Sequence, residues 1–357
     1  MGRKMTKKHK VLNSIQVLRA IAAILVVILH SAEQFEVKKI SEFVSFGNGG
    51  VDLFFVISGF VMIYISFKKT MTPWQFFKNR IVRIAPIYWI FTLFTAVLTL
   101  IIPSAFRGTT FDLQHLLYSL FFVAHPNPAT VGSVSPMLRV GWTLNYEMLF
   151  YAIFAMALFF GKTRVIYLSG ACIIALVLSG MFISSSAVWA FYTANIMLEF
   201  LFGMVVGWVF INFQHLFVEG KKKTFVFLIT LFSFVAFGSL GMQGELPRSL
   251  TFGVPAAFIV YYSLSYESLV SRFTSSWLLL LGNASYAMYL SHPFILSFIR
   301  VLASRAHIDT SSTIAQVVFI VFMTFAAALG GVLGHLLIEK PVGAFIKNGR
   351  KAIPFAE

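Results

Sequence analysis

LRAIAAILVVILH, residues 18–30, is apolar throughout except for Arg19 near its start and His30 at its end. Eleven residues separate the two, which on an α-helix is three full turns plus about 20°, with a rise of roughly 16 Å. Both side chains therefore project from one stripe, Arg19 near one face of a membrane and His30 further in. Ionisable groups inside a bilayer are costly unless paired or functional. The stretch predicts the first span of a helical membrane protein and marks where its chemistry lies.

Composition agrees. Of 357 residues, 58% are hydrophobic and 11% charged, with a mean hydropathy of +0.84. This excludes one or two soluble domains and predicts an all-α polytopic membrane protein. A net charge of +15 would suggest nucleic acid in a soluble chain. Here it lies largely in short loops, where it sets orientation and meets anionic lipid, so membrane lipids are expected partners and nucleic acid is not. The lone Cys172 excludes an intramolecular disulfide framework and reads as a small buried hydrophobe. The basic opening MGRKMTKKHK precedes an apolar run with no small-residue cleavage site, so the first span is expected to be uncleaved.

Apolar runs of about 20 residues, enough to cross a bilayer, fall near 14–33, 50–67, 84–102, 142–160, 165–183, 191–211, 224–241, 249–264, 277–299 and 312–337. Ten crossings put both termini on one side. Loops on that side carry 20 Lys and Arg against 7 opposite, so both termini are expected in the cytoplasm. The expected organisation is a basic cytoplasmic N-terminus (1–13), a single transmembrane domain (14–340) and a cytoplasmic tail (341–357), with no internal repeat and no soluble appendage. The run 113–124 is short for a span and reads as interfacial or re-entrant. The stretch after it holds Pro126, Pro128 and Pro136 and reads as an extracytoplasmic loop shaping a substrate entrance.

With that topology, His30, Asp52, Glu147 and His292 come from four helices at similar height in the outer half, which predicts a common cavity. Ser285, Tyr289 and His292 fall within about 60° of one another on one helix. Nearer the cytoplasm, Arg80 and Arg83 share a helix face and Arg19 lies in the inner half of its span. Such a set suits phosphate, because arginine binds it in a bidentate manner. Alanines 22 and 23 lie close to the Arg19–His30 stripe, so a slender ligand is expected to run along it.

Plainer readings exist for several of these groups. Arg80 and Arg83 can serve as positive-inside anchors, and Glu199 as a structural partner for an intramembrane arginine. Glu339 and Lys340 can be interfacial, and His115, His125, His307 and His335 surface or capping histidines. No Cys–His or HExxH spacing supports a metal site. His30 is harder to explain structurally, since nothing requires a histidine on the stripe of Arg19.

Five segments in order resemble the acyltransferase-3 family of integral membrane acyltransferases: Arg19 and His30 at their spacing, GGVDLFFVISGF (49–60), RIVRIAPIYW (80–89), GWTLNYEMLFY (141–151) and LGNASYAMYLSHP (281–293). IQVLRAIAAILVVILHS and GWTLNYEMLFY are similar to the branch that acetylates exopolysaccharides and O-antigens. The resemblance implies a multi-pass protein of the bacterial inner membrane that moves acetyl from cytoplasmic acetyl-CoA to a hydroxyl of a surface or exported polysaccharide, or of its lipid-linked precursor. No metal is expected, and polysaccharide assembly machinery is a further expected partner. Some family members carry a C-terminal esterase-like domain; here the acceptor is expected to come to the membrane core itself.

On that reading Arg19, Arg80 and Arg83 hold the CoA phosphates and the pantetheine arm follows the alanines. His30 is either general base or transient acetyl acceptor, oriented by Asp52 or Glu147. Trp142 stacks on a sugar, and Ser285, Tyr289 and His292 bind the acceptor or the carbonyl oxygen. Two other readings remain open. One is an acyltransferase using another acyl chain or a lipid, peptide or small-molecule acceptor. The other is a transporter, although paired broken helices of the kind transporters use are not evident.

Overall fold

The computed structural model describes residues 12–34, 40, 43–102, 108–183, 185–239, 246–310 and 312–352. The basic opening decapeptide, Lys38, Lys39, Arg107 and the last five residues lie outside these. Helices occur in all ten predicted places: α1 (Asn13–Ala32), α2 (Gly49–Lys68), α3 (Pro73–Ile101), α4 (Leu113–Leu120), α5 (Trp142–Leu158), α6 (Val165–Phe182), α7 (Ala187–Tyr192), α8 (Leu198–Asn212), α9 (Lys221–Ser239), α10 (Val254–Ser265), α11 (Glu267–Phe273), α12 (Ser276–Arg305), α13 (Thr313–Gly334) and α14 (Lys340–Ala352). Among the described residues 7 helical stretches are long and apolar enough to cross a membrane, and Ser249–Ser265 is a shorter apolar one. The protein is an all-α, multi-pass membrane protein.

Local chemistry fixes the helix starts. Thr72 and Gln75 form a reciprocal capping box ahead of Pro73 at the beginning of α3, which satisfies two otherwise orphaned amide groups. The Glu267 carboxylate accepts the Asn13 and Ser14 amides at 2.9 Å each. It thereby ties the start of α1 to α11 with an anion at the positive helix end. Pro86 and Pro293 stand inside α3 and α12. Membrane helices tolerate proline because neighbouring helices and local adjustments can satisfy the carbonyls it frees.

The short α4, capped by Asp112, rises only about 12 Å, too little to cross, as expected of an interfacial segment. Two expectations fail nearby. His115 and His125 are buried and hydrogen-bonded to one another at 2.5 Å, not surface groups. They pin α4 to the proline-rich loop, where Pro126 bridges Val134. Cys172 is exposed on α6 rather than buried, because this peripheral helix turns most of its apolar surface outward.

The tightest seam joins α2 and α8. A Cβ on Gly59 would collide with the Phe200 carbonyl, and one on Gly203 with the Val56 carbonyl. Small residues let membrane helices approach backbone to backbone where no hydrophobic effect drives them together. The same rule corrects the reading of the alanine stripe. Ala22 packs in a cluster with Leu53 and Val56 of α2, and Ala23 with Met288, Leu296 and Met323. They close helix–helix contacts and line no passage.

Candidate active site

A cavity of about 330 Å³ opens among α1, α2, α3, α5 and α12. Along α2 its lining runs from Val51 to Ile65, a length of about 21 Å at 1.5 Å per residue. Arg19, Arg80 and Arg83 line its basic end, and Glu147, Ser285 and Tyr289 line it further in. Six of the ten predicted site residues therefore meet in one space, while His30, His292, Asp52 and Trp142 lie outside its lining.

The arginines are not left alone. Glu147 accepts a hydrogen bond from Ser58 at 3.1 Å and another from Tyr151 one turn along α5. Tyr151 in turn lies beside Arg80. Arg19 is within electrostatic reach of Arg83, Glu339 and Glu147. The result is a cationic basin with a carboxylate on its wall, suited to a polyphosphate group.

At the other end Tyr289 donates to the Val140 carbonyl at 2.8 Å and meets Thr143 at 3.0 Å. Its ring stands edge-on to Phe54, with centroids 6.1 Å apart. Beyond this pair lie the two histidines. The His292 ring is 6.0 Å from Tyr289 and stacks on His30 at 5.2 Å. His292 is wholly buried. Its Nδ1 faces the Met288 carbonyl at 3.3 Å and its Nε2 has no hydrogen-bond partner. His30 is half open, with 35% of its side chain exposed, and its Nδ1 lies 2.7 Å from Glu33 Oε2. Both acceptors are oxygen atoms without hydrogens, so Nδ1 of each ring donates, and Nε2 is the position left to take up or release a proton.

These contacts answer which carboxylate serves His30. It is Glu33, three residues on, and neither Asp52 nor Glu147. Asp52 is fully buried and gives both oxygens to Arg248, at 2.9 and 2.7 Å. The buried Glu199 lies within electrostatic reach of that pair. Glu199 is expected to be a structural partner for an intramembrane arginine; Arg248 lies within its electrostatic reach, but the carboxylate that Arg248 pairs with is Asp52. Trp142, the first residue of α5, stands edge-on to Tyr146 at 5.8 Å.

A family model described as an acyltransferase domain, that of acyltransferase-3, matches residues 12–333. The chain belongs to the acyltransferase-3 family. It is thus an acyltransferase, and the family implies an acyl donor. Among relatives of this acyltransferase-3 chain is the exopolysaccharide production protein ExoZ of Rhizobium meliloti (strain 1021), 33% identical over 330 residues, covering 90% of this chain and 95% of that protein. Protein 2 in the picA locus of Rhizobium radiobacter is 27% identical over 153 residues, covering 39% of this chain and 78% of that one. No solved structure matches. Among the described residues of this acyltransferase no group of three or more His, Cys, Asp and Glu side chains could hold a metal ion.

Glu33, Ser58, Tyr151, Tyr286 and Arg248 are residues of this site region that sequence reasoning passed over. Two carried a signal: Glu33 at i+3 from His30 and Tyr151 at i+4 from Glu147 are the spacings at which helical side chains meet.

Proposed function

We propose that the protein is a membrane O-acetyltransferase moving acetyl from cytoplasmic acetyl-CoA to a hydroxyl of an exported or surface polysaccharide or its lipid-linked precursor. We place it in the bacterial inner membrane with both termini in the cytoplasm. The observation that carries this reading is the single cavity running from three arginines toward the stacked histidines. The kinship with a protein named for exopolysaccharide production supports the acceptor class.

In this reading Arg19, Arg80 and Arg83 hold the donor's phosphates, with the charge-assisted contacts that guanidinium makes well. The pantetheine arm lies along the α2 wall rather than the alanines of α1. The thioester reaches the Phe54–Tyr289 rings, which must part to admit it to His30. The acceptor hydroxyl gives its proton to His30 Nε2 while its oxygen bonds to the thioester carbonyl carbon. The carbon–sulfur bond then breaks, and the departing thiolate takes the proton from the imidazolium. Glu33 holds the ring and stabilises its charged form, as a carboxylate does in hydrolase triads. His292 Nε2, a lone-pair acceptor, orients the sugar hydroxyl. Ser285, buried in the lining with its hydroxyl unpartnered, donates toward the thioester oxygen. Trp142 offers a stacking face to the sugar, and Asp52 acts on the site through Arg248 and α2, not on the imidazole.

The test is His30→Ala, which should abolish glycan acetylation at unchanged membrane level; retained activity would overturn the assignment. Arg80→Ala with Arg83→Ala should weaken acetyl-CoA binding at least tenfold, about 1.4 kcal/mol. The mass added to the glycan must be that of one acetyl group, and a heavier increment would favour another acyl chain.

A further inference from the structure

The last helix does not leave the bundle as a regular continuation of α13. Its backbone widens into a π turn over His335–Glu339 before α14 begins. Such turns re-aim side chains and are frequent at functional sites. This one brings His335 Nδ1 to within 2.8 Å of Glu339 Oε2, with only 17% and 18% of the two side chains exposed. Ile338 and Val342 pack against the core cluster that contains Ile84, the neighbour of Arg83. The π turn packs on α12, which carries Tyr286, and α14 packs on α3, which carries Arg80 and Arg83, so the carboxylate is held beside the helices that form the basic end of the cavity, outside the lining itself. Two cavity-lining residues, Arg19 and Tyr286, lie within its electrostatic reach.

Neither the interfacial reading of Glu339 nor the reaction outlined above accounts for this placement. Three guanidinium groups about one low-dielectric cavity repel each other, and the wall supplies one acid, Glu147. A second acid at the mouth relieves the vacant state and then opposes any polyanion that enters.

We propose that Glu339, fixed by His335 on the π turn, is the exchangeable counter-ion of the donor cavity. It balances Arg19 and its neighbours while the cavity is empty and yields them to the phosphates of an entering nucleotide thioester. The spent nucleotide thiol carries the same phosphates, so the same opposition speeds its departure. Glu339 is thus a positioning residue that sets donor and product affinity, and the inference rests on the donor reading given above.

The experiment is equilibrium binding of acetyl-CoA and of CoA to the purified full-length protein in detergent, with KM measured alongside. Glu339→Gln keeps the shape and removes the charge. It should tighten both ligands roughly fivefold, about 1 kcal/mol, lower KM, and lose this advantage as salt is raised. Glu339→Asp should restore affinity toward that of the parent, and His335→Gln should tighten binding in the same direction as Glu339→Gln, to a smaller extent. Structural damage would weaken binding, so a gain is diagnostic. Unchanged or weaker binding in Glu339→Gln, with the parent binding normally, overturns the proposal. A parent that binds neither ligand removes the donor assignment itself, and this inference with it.

Discussion

Glu33→Gln should slow acyl transfer about tenfold while leaving donor affinity alone. The Glu33 carboxylate sits 2.7 Å from His30 Nδ1. Burial raises its pKa, but the hydrogen bond and charge of His30, with Arg139, outweigh this and hold the carboxyl below its ordinary range. It is therefore anionic at neutral pH, and glutamine removes a full charge from beside a ring that must become an imidazolium. Hydrogen bonds to charged groups contribute roughly 1.5–3 kcal/mol. With 35% and 49% of the two side chains exposed, water screens the pair and the low end applies, about 1.4 kcal/mol or one decade in rate. The assay is transfer from acetyl-CoA to the cell's own polysaccharide in membrane vesicles, with kcat and KM measured separately. A parental kcat in Glu33→Gln would refute the pairing. So would a folded Asp52→Asn protein that loses kcat where Glu33→Gln keeps it, because the geometry gives Asp52 no contact with the imidazole.

Arg248→Gln strands the buried Asp52 without its cation. It should destabilise the protein by about 3–5 kcal/mol, read as thermal unfolding in detergent by tryptophan fluorescence; addition of Asp52→Asn should recover part of the loss, and an Arg248→Gln protein as stable as its parent would contradict the pairing. Burial, with the charge of His125, pushes His115 down to about 4, against about 6.5 in the unfolded chain. The folded state then binds fewer protons, so this contribution is complete above about pH 6.5 and is lost as pH falls from there toward 4. His115→Gln should flatten the unfolding midpoint across that window, and an unchanged acid slope would count against it.

Helix positions were legible because membrane helices announce themselves by length and apolarity alone, and these segments carry few charges. The arginine basin was legible for a related reason: Arg80 and Arg83 stand three apart at the start of an apolar run, so their face was fixed once the helix was. What failed depended on pairings across the chain. Arg248 precedes a short apolar stretch and looks like loop charge, and only the packing of the π turn Ser249–Gly253 on α2 shows that it faces Asp52. The alanines 22 and 23 were placed on the correct stripe but given the wrong task. Small side chains in lipid serve helix contact at least as readily as they make room, and sequence does not distinguish the two. Glu33, the last residue of the predicted span, is missed because the search for partners of His30 looks across to other helices, whereas an exposed helix end is where an i+3 acid meets it.

The distance in sequence between Asp52 and Arg248 has a consequence for how the protein is made. The aspartate leaves the ribosome 196 residues before its partner. At about 5–20 residues per second, that is an interval of roughly 10–40 s. Throughout it α2 carries an acid group whose partner has not yet been made. The nascent chain therefore needs a temporary polar refuge, in an insertase groove, near the headgroups or as a protonated acid, until the eighth hydrophobic segment emerges. Truncated chains ending before that segment should be prime targets for membrane quality-control proteases.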